Sequence, residues 1–130
     1  MRQDKFFYDE AGRQKPLPGI QEQDDFEGID LNEQLIRNPR ESFSMVVNSD
    51  AMEEAGIFRG DMVIVDRAVE PGSGHVVIAV LDGEMLIRRL EISSARRQLL
   101  PATSKLSAIE INPGASFRVW GVVTYVIHSV

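Results

Sequence analysis

A serine hydroxyl attacks a carbonyl only when a neighbouring base takes its proton, so hydroxyl–base pairs are the first chemistry to look for. The run Ser49-Asp50-Ala51-Met52 offers one hydroxyl, a weak candidate, and Lys105, His75 and His128 are possible bases only if the fold brings them close to it. His75 opens one apolar run and His128 closes another, and both read as structural residues. The chain has no cysteine, which excludes thiol catalysis, a disulfide framework and a zinc–cysteine site. No cofactor or metal is implied.

The elements that must position these residues are mostly strands. SFSMVVN alternates, with Phe43, Met45 and Val47 on one side. AMEEAGI has helical propensity and is stopped by Gly56. MVIVD and HVVIAVL are short β-branched runs bounded by turn residues. VVIAVL and EMLIRRL flank Asp82-Gly83, a pair favoured in a type I′ hairpin turn. RQLLP reads as a further short strand. FRVWGVVTYVIHSV reads as a long strand, apolar on both faces, to be buried or paired at an interface. Gly56 and Gly60 are expected at backbone turns, and Asp61 and Asp66 as turn caps.

The N-terminal part differs. Residues 1–28 are polar and irregular, with the acidic run QEQDDFEG, and are read as a flexible arm whose Phe6, Phe7, Tyr8, Leu17 and Ile20 can dock on a folded body. Asp30 as N-cap and Glu33 three residues on form a capping box for one short helix, with Leu31, Leu35 and Ile36 as its buried stripe and Pro39 at its end. The expected fold is mainly β, with residues 29–130 as one domain.

The net charge of −6 argues against a nucleic-acid surface. Arg88, Arg89, Arg96, Arg97 and Lys105 are spread over a hairpin and a loop and read as a solvated face, so direct nucleic-acid binding is not expected. No apolar run reaches the length of a membrane span, and the first residues lack a secretory pattern. A cytoplasmic protein is expected.

Several motifs together carry a resemblance: Asp50-Ala51-Met52, Ala55-Gly56-Ile57, Gly60-Asp61 leading to Ile64-Val65-Asp66, Asp82-Gly83-Glu84, and Trp120-Gly121-Val122-Val123. In this order and spacing, from Ile29 to Val130, the chain resembles the LexA/UmuD family of self-cleaving serine–lysine peptidases. IDLNEQLI and the arm resemble UmuD more than LexA, because about 40 largely polar residues cannot hold the helix-turn-helix domain of a repressor. The resemblance implies the LexA/UmuD C-terminal-domain β fold, a dimer, and cleavage of the arm on a RecA filament. It also implies a UmuC-type polymerase as partner in translesion synthesis.

In that family the serine lies in G-D-S-M and its lysine base on the far strand of the D-G-E hairpin. The resemblance puts Ala51 at the serine position and Arg88 at the lysine position. Alanine has no hydroxyl, and arginine keeps its proton, with a pKa above about 12. The family's small-residue–glycine cleavage junction falls near Lys15-Pro16, which does not match; Ala11-Gly12 matches chemically but lies too far upstream. The expectation is therefore a pseudo-peptidase of the SOS response. It would form a homodimer, or a mixed dimer with a cleavable UmuD, and bind a UmuC-type polymerase or a RecA filament. Two alternatives stay open: a self-cleaving peptidase that uses Ser49, and a LexA-type regulatory partner.

Overall fold

The computed structural model describes residues 38–130. The arm, the capped helix from Asp30 and both candidate junctions, Lys15-Pro16 and Ala11-Gly12, lie outside the described residues. Pro39 opens a 3₁₀ turn, Pro39–Glu41, as its fixed φ and missing N–H favour.

The expected runs form strands: β1 (Ser42–Val46), β2 (Met62–Asp66), β3 (Val76–Leu81), β4 (Glu84–Ile92) and β5 (Arg97–Leu100). A two-residue β6 (Ile109–Glu110) follows, and β7 (Phe117–Ile127) closes the chain. All seven pair antiparallel in one sheet ordered β1-β2-β7-β3-β4-β5-β6. This mainly β architecture is the fold class expected from the sequence. Asp82 and Gly83 both take positive φ, 51° and 85°, as a type I′ turn requires. AMEEAGI forms only a 3₁₀ turn, Glu53–Ala55, ended by Gly56 at φ 85°.

Alternation along the strands divides the core. Met45, Val47, Val63, Val65, Ile78, Ile87 and Trp120 pack in one cluster, with Ala51 and Met52 among them. Val77, Ala79, Leu90, Leu99, Ile111 and Val122 form a second. β7 is half as expected. Trp120, Gly121 and Val122 are buried, whereas Thr124, Tyr125 and Val126 are exposed. Among the described residues no helix is long and apolar enough to cross a membrane.

β7 is irregular where it meets both neighbours. Its register against β2 shifts at Ile64/Val65, which leaves Thr124 as an extra residue, and against β3 at Ile78/Ala79, which leaves Trp120 extra. A bulge disrupts the ladder locally, so the polar groups there need other partners. Thr124 Oγ1 donates to Ile64 O at 3.3 Å, and Arg67 Nε donates to Trp120 O at 2.7 Å. The Arg67 guanidinium also lies 4.3 Å from the Trp120 ring centroid, and Phe43 packs against that ring at 5.5 Å.

Two stability predictions follow from β7. A Cβ on Gly121 would meet Val65 Cγ1 at 2.5 Å and Arg67 Cγ at 3.3 Å. Gly→Ala normally gains under about 1 kcal/mol by restricting the unfolded chain, but overpacking costs about 1–3 kcal/mol. Gly121→Ala is therefore expected to lower the urea midpoint, and an unchanged midpoint would contradict the close approach. Arg67→Ala removes a charged donor and a cation–π contact, a loss of about 2 kcal/mol. Arg67→Lys should recover little of it, because an ammonium cannot bond the carbonyl and stack on the ring as a planar guanidinium does. Equal urea midpoints for the lysine variant and the parent would refute that assignment.

Candidate functional site

Beyond β1 the chain does not stay extended. It bends at Asp50 and turns through Ala51 and Met52, so Ser49 and Ala51 do not share one side of a strand. Ser49 Oγ accepts the Ala51 N–H at 3.0 Å, which spends the hydroxyl oxygen on closing this turn. The Ala51 methyl is buried in the first core cluster.

Two clamps hold the turn. Val47 N–H donates to Asp61 O and Gly60 N–H donates to Val47 O, each at 2.8 Å. Arg59 reaches back across the same loop. Its Nη1 donates to Asn48 O and Oδ1, and its Nε and Nη2 donate to the two Asp50 carboxylate oxygens at 3.2 Å. The Arg59 guanidinium, bonded to Asp50, holds that carboxyl below its ordinary value; Lys105 adds a smaller effect in the same direction. Both Arg59 and Asp50 are more than half exposed, so their pairing fixes loop geometry more than it stabilises the fold.

A second segment, residues 101–106, forms the opposite wall. Ala102 N–H donates to Ala51 O at 2.7 Å, and Glu54 N–H donates to Ala102 O at 2.8 Å. Thr103 Oγ1 donates to Glu53 Oε2 at 3.1 Å, and Lys105 Nζ lies 3.7 Å from the same oxygen. The floor comes from β4, where Glu84, Leu86 and Arg88 occupy alternate positions. These walls enclose an open cleft of about 410 Å³.

The cleft gathers residues that are distant in sequence: Ser49, Ala51, Arg88 and Lys105 all line it. Arg88 is half-buried, and its Nη1 donates to Ile87 O at 2.9 Å. Neither histidine lines it. His75 Nδ1 accepts the Gly72 N–H at 2.9 Å within a turn, and the ring borders a separate cleft with Asn38 and Asp66. His128 Nδ1 bonds the buried Asp61 at 2.5 Å and packs on Phe58. Asp61 and Asp66 also bond the Phe58 and Ala68 N–H groups, each at 2.8 Å. Arg59, Met85, Thr103 and Leu106 are cleft residues that the local pattern did not single out. Among the described residues no cluster of His, Cys, Asp or Glu could hold a metal ion.

Apart from Arg88 and Lys105, the basic residues of the hairpin and loop engage other partners. Arg96 pairs with Glu110, Arg97 lies over Phe117, and Arg89 donates to Gly74 O.

The chain matches the Peptidase S24-like family over residues 8–124. It is 34% identical to protein ImpA of Salmonella typhimurium over 92% of this chain and 78% of that protein. It is 37% identical to protein SamA of Salmonella typhimurium over 78% and 70% of the two chains. LexA repressor 2 of Xanthomonas axonopodis pv. citri is 32% identical over 76% of this chain and 45% of the repressor. The chain therefore belongs to the peptidase S24-like family, as a UmuD-type member of its LexA/UmuD group.

The cleft chemistry is testable with a serine-directed fluorophosphonate. The parent and Ala51→Ser are expected to stay unlabelled, because Arg88 takes no proton from a serine at position 51. Ala51→Ser with Arg88→Lys is expected to label, faster at alkaline pH, since the lysine must first lose its own proton. Labelling of the parent, read by intact mass, would point to another nucleophile.

Proposed function

We propose that this chain is a non-cleaving UmuD-type protein: a cytoplasmic, dimeric accessory or regulatory subunit in SOS mutagenesis. It engages a UmuC-type polymerase, a RecA filament, or a cleavable UmuD in a mixed dimer. One observation carries the reading. Ala51 and Arg88, which the resemblance puts at the serine and lysine positions, both line one cleft. At those two positions there is neither hydroxyl nor base, and losing partners that act as a unit leaves only the weak catalysis of binding and polarisation. What the fold keeps is its surfaces, and surfaces serve assembly.

The self-cleaving alternative through Ser49 has a specific point against it. Ser49 Oγ is engaged by the Ala51 N–H. The lysine of the same cleft, Lys105, is 76% exposed and ion-paired with Glu53, whereas a lysine becomes a base when burial disfavours its charged form.

The test is intact mass of the purified protein incubated with RecA, single-stranded DNA and a nucleotide analogue, beside a cleavable UmuD. An unchanged mass, while the control is cut, is the expected result. Release of an N-terminal fragment would overturn the reading, and Ser49→Ala would then show whether that serine is responsible.

A further inference from the structure

We propose that Ser49 is a third inactivating residue of this site: its hydroxyl occupies the Ala51 N–H, the backbone donor that an acyl group attacked from position 51 would need. The proposal rests on the preceding reading, which sets Ala51 at the nucleophile position.

Acyl transfer needs a donor as well as a nucleophile and a base. Negative charge builds on the carbonyl oxygen as the new bond forms, and N–H groups already aimed at that oxygen lower the barrier. The backbone N–H of the nucleophilic residue itself is a natural donor, because its amide and its side chain diverge from one Cα. A hydroxyl carried at position 51 would therefore draw on the N–H of the same residue.

In this chain that N–H is already spent. It donates to Ser49 Oγ at 3.0 Å, a local bond of the kind with which serine closes turns. The Ala51 carbonyl is held as well, by the Ala102 N–H at 2.7 Å. Both backbone polar groups of residue 51 are thus satisfied inside the fold. The turn is braced around them: Val47 bonds Asp61 and Gly60, each at 2.8 Å, and Arg59 ties Asn48 to Asp50. A braced turn keeps the N–H directed at Ser49.

Residue type decides whether this bond exists. The family motif G-D-S-M has glycine where this chain has Ser49, and glycine has no side-chain oxygen to offer. Restoring the hydroxyl and the lysine would therefore leave a competitor on the donor. Ser49 acts through that N–H and touches no substrate.

Amide exchange in the full-length chain reads the bond directly. Ala51 N–H is expected to exchange about tenfold faster in Ser49→Ala than in the parent. Val47 and Gly60 N–H, held by backbone carbonyls, should keep their protection. Unchanged exchange at Ala51, or loss of protection spreading to Val47 and Gly60, would overturn the proposal. The chemical consequence is read by fluorophosphonate labelling of Ala51→Ser with Arg88→Lys, with and without Ser49→Ala. The introduced hydroxyl oxygen bonds phosphorus, fluoride leaves, and the proton passes to the lysine amine. Ser49→Ala is expected to raise the plateau rate about tenfold or more. The pH midpoint, which reports the base, should not move. Ser49→Thr, which keeps a hydroxyl, should stay near the double variant. Equal plateaus, or a moved midpoint, would refute the role of Ser49 alone. No labelling in any variant would refute the placement of Ala51 and Arg88, and the proposal with it.

Discussion

The structure depends on β7 lying between β2 and β3. The hairpin-like pair β1–β2 and the meander β3–β6 touch through this strand, which pairs with β2 on one side and β3 on the other. A strand serving two ladders must satisfy two registers at once, and β7 does so with a bulge towards each neighbour. Each bulge creates a polar debt, met by the Thr124 hydroxyl in one case and the Arg67 guanidinium in the other. Gly121 sits between them, where only a residue without a Cβ clears Val65. Placement of the two halves of the sheet is thus decided by a few contacts around Trp120.

The cleft inherits its geometry from that placement. Ala51 belongs to the β1–β2 half, through Val47, Gly60 and Asp61, while Arg88 belongs to β4 in the other half. The wall at Ala102 bonds directly to the Ala51 carbonyl and to the Glu54 N–H. Thr103 of the same wall donates to Glu53. Side chains from three regions of the chain converge because the sheet and this tether hold them. An ordered fold of this kind keeps the cleft shaped whatever chemistry its residues can perform.

Much of this was legible in residues. The runs MVIVD and VVIAVL are short, β-branched and bounded by turns, so their physics is local and they fold as read. Asp82-Gly83 is equally local, because positive φ at both positions is a property of the pair. Gly56 and Gly60, at positive φ, and Asp61 and Asp66, through carboxylates that accept nearby N–H groups, are likewise local. What stayed hidden was non-local. The order that inserts β7 between β2 and β3, the two bulges, and the approach of residues 101–106 to Ala51 are set by packing between distant segments. β6 is too short to leave a pattern. The path of the chain at Ser49 was hidden for a related reason: a hydrogen bond between the Ala51 N–H and the Ser49 hydroxyl closes a turn just beyond β1. The chemical content of the site, by contrast, needed no structure. Whether Ala51 can attack or Arg88 can accept a proton follows from residue type.

Exchanging a lysine for an arginine on the cleft floor has a consequence beyond lost basicity. A lysine there works when desolvation makes its neutral form accessible, so burial and function pull the same way. Arginine has no accessible neutral form, and burying its charge costs free energy unless hydrogen bonds and an anion compensate. The Ile87 carbonyl supplies one such bond. On the reading proposed above, a half-buried site that suits a poised lysine suits an arginine only where its charge is compensated. Under the proposed reading, lost basicity and the demand for compensation have one cause, a proton that the guanidinium does not release.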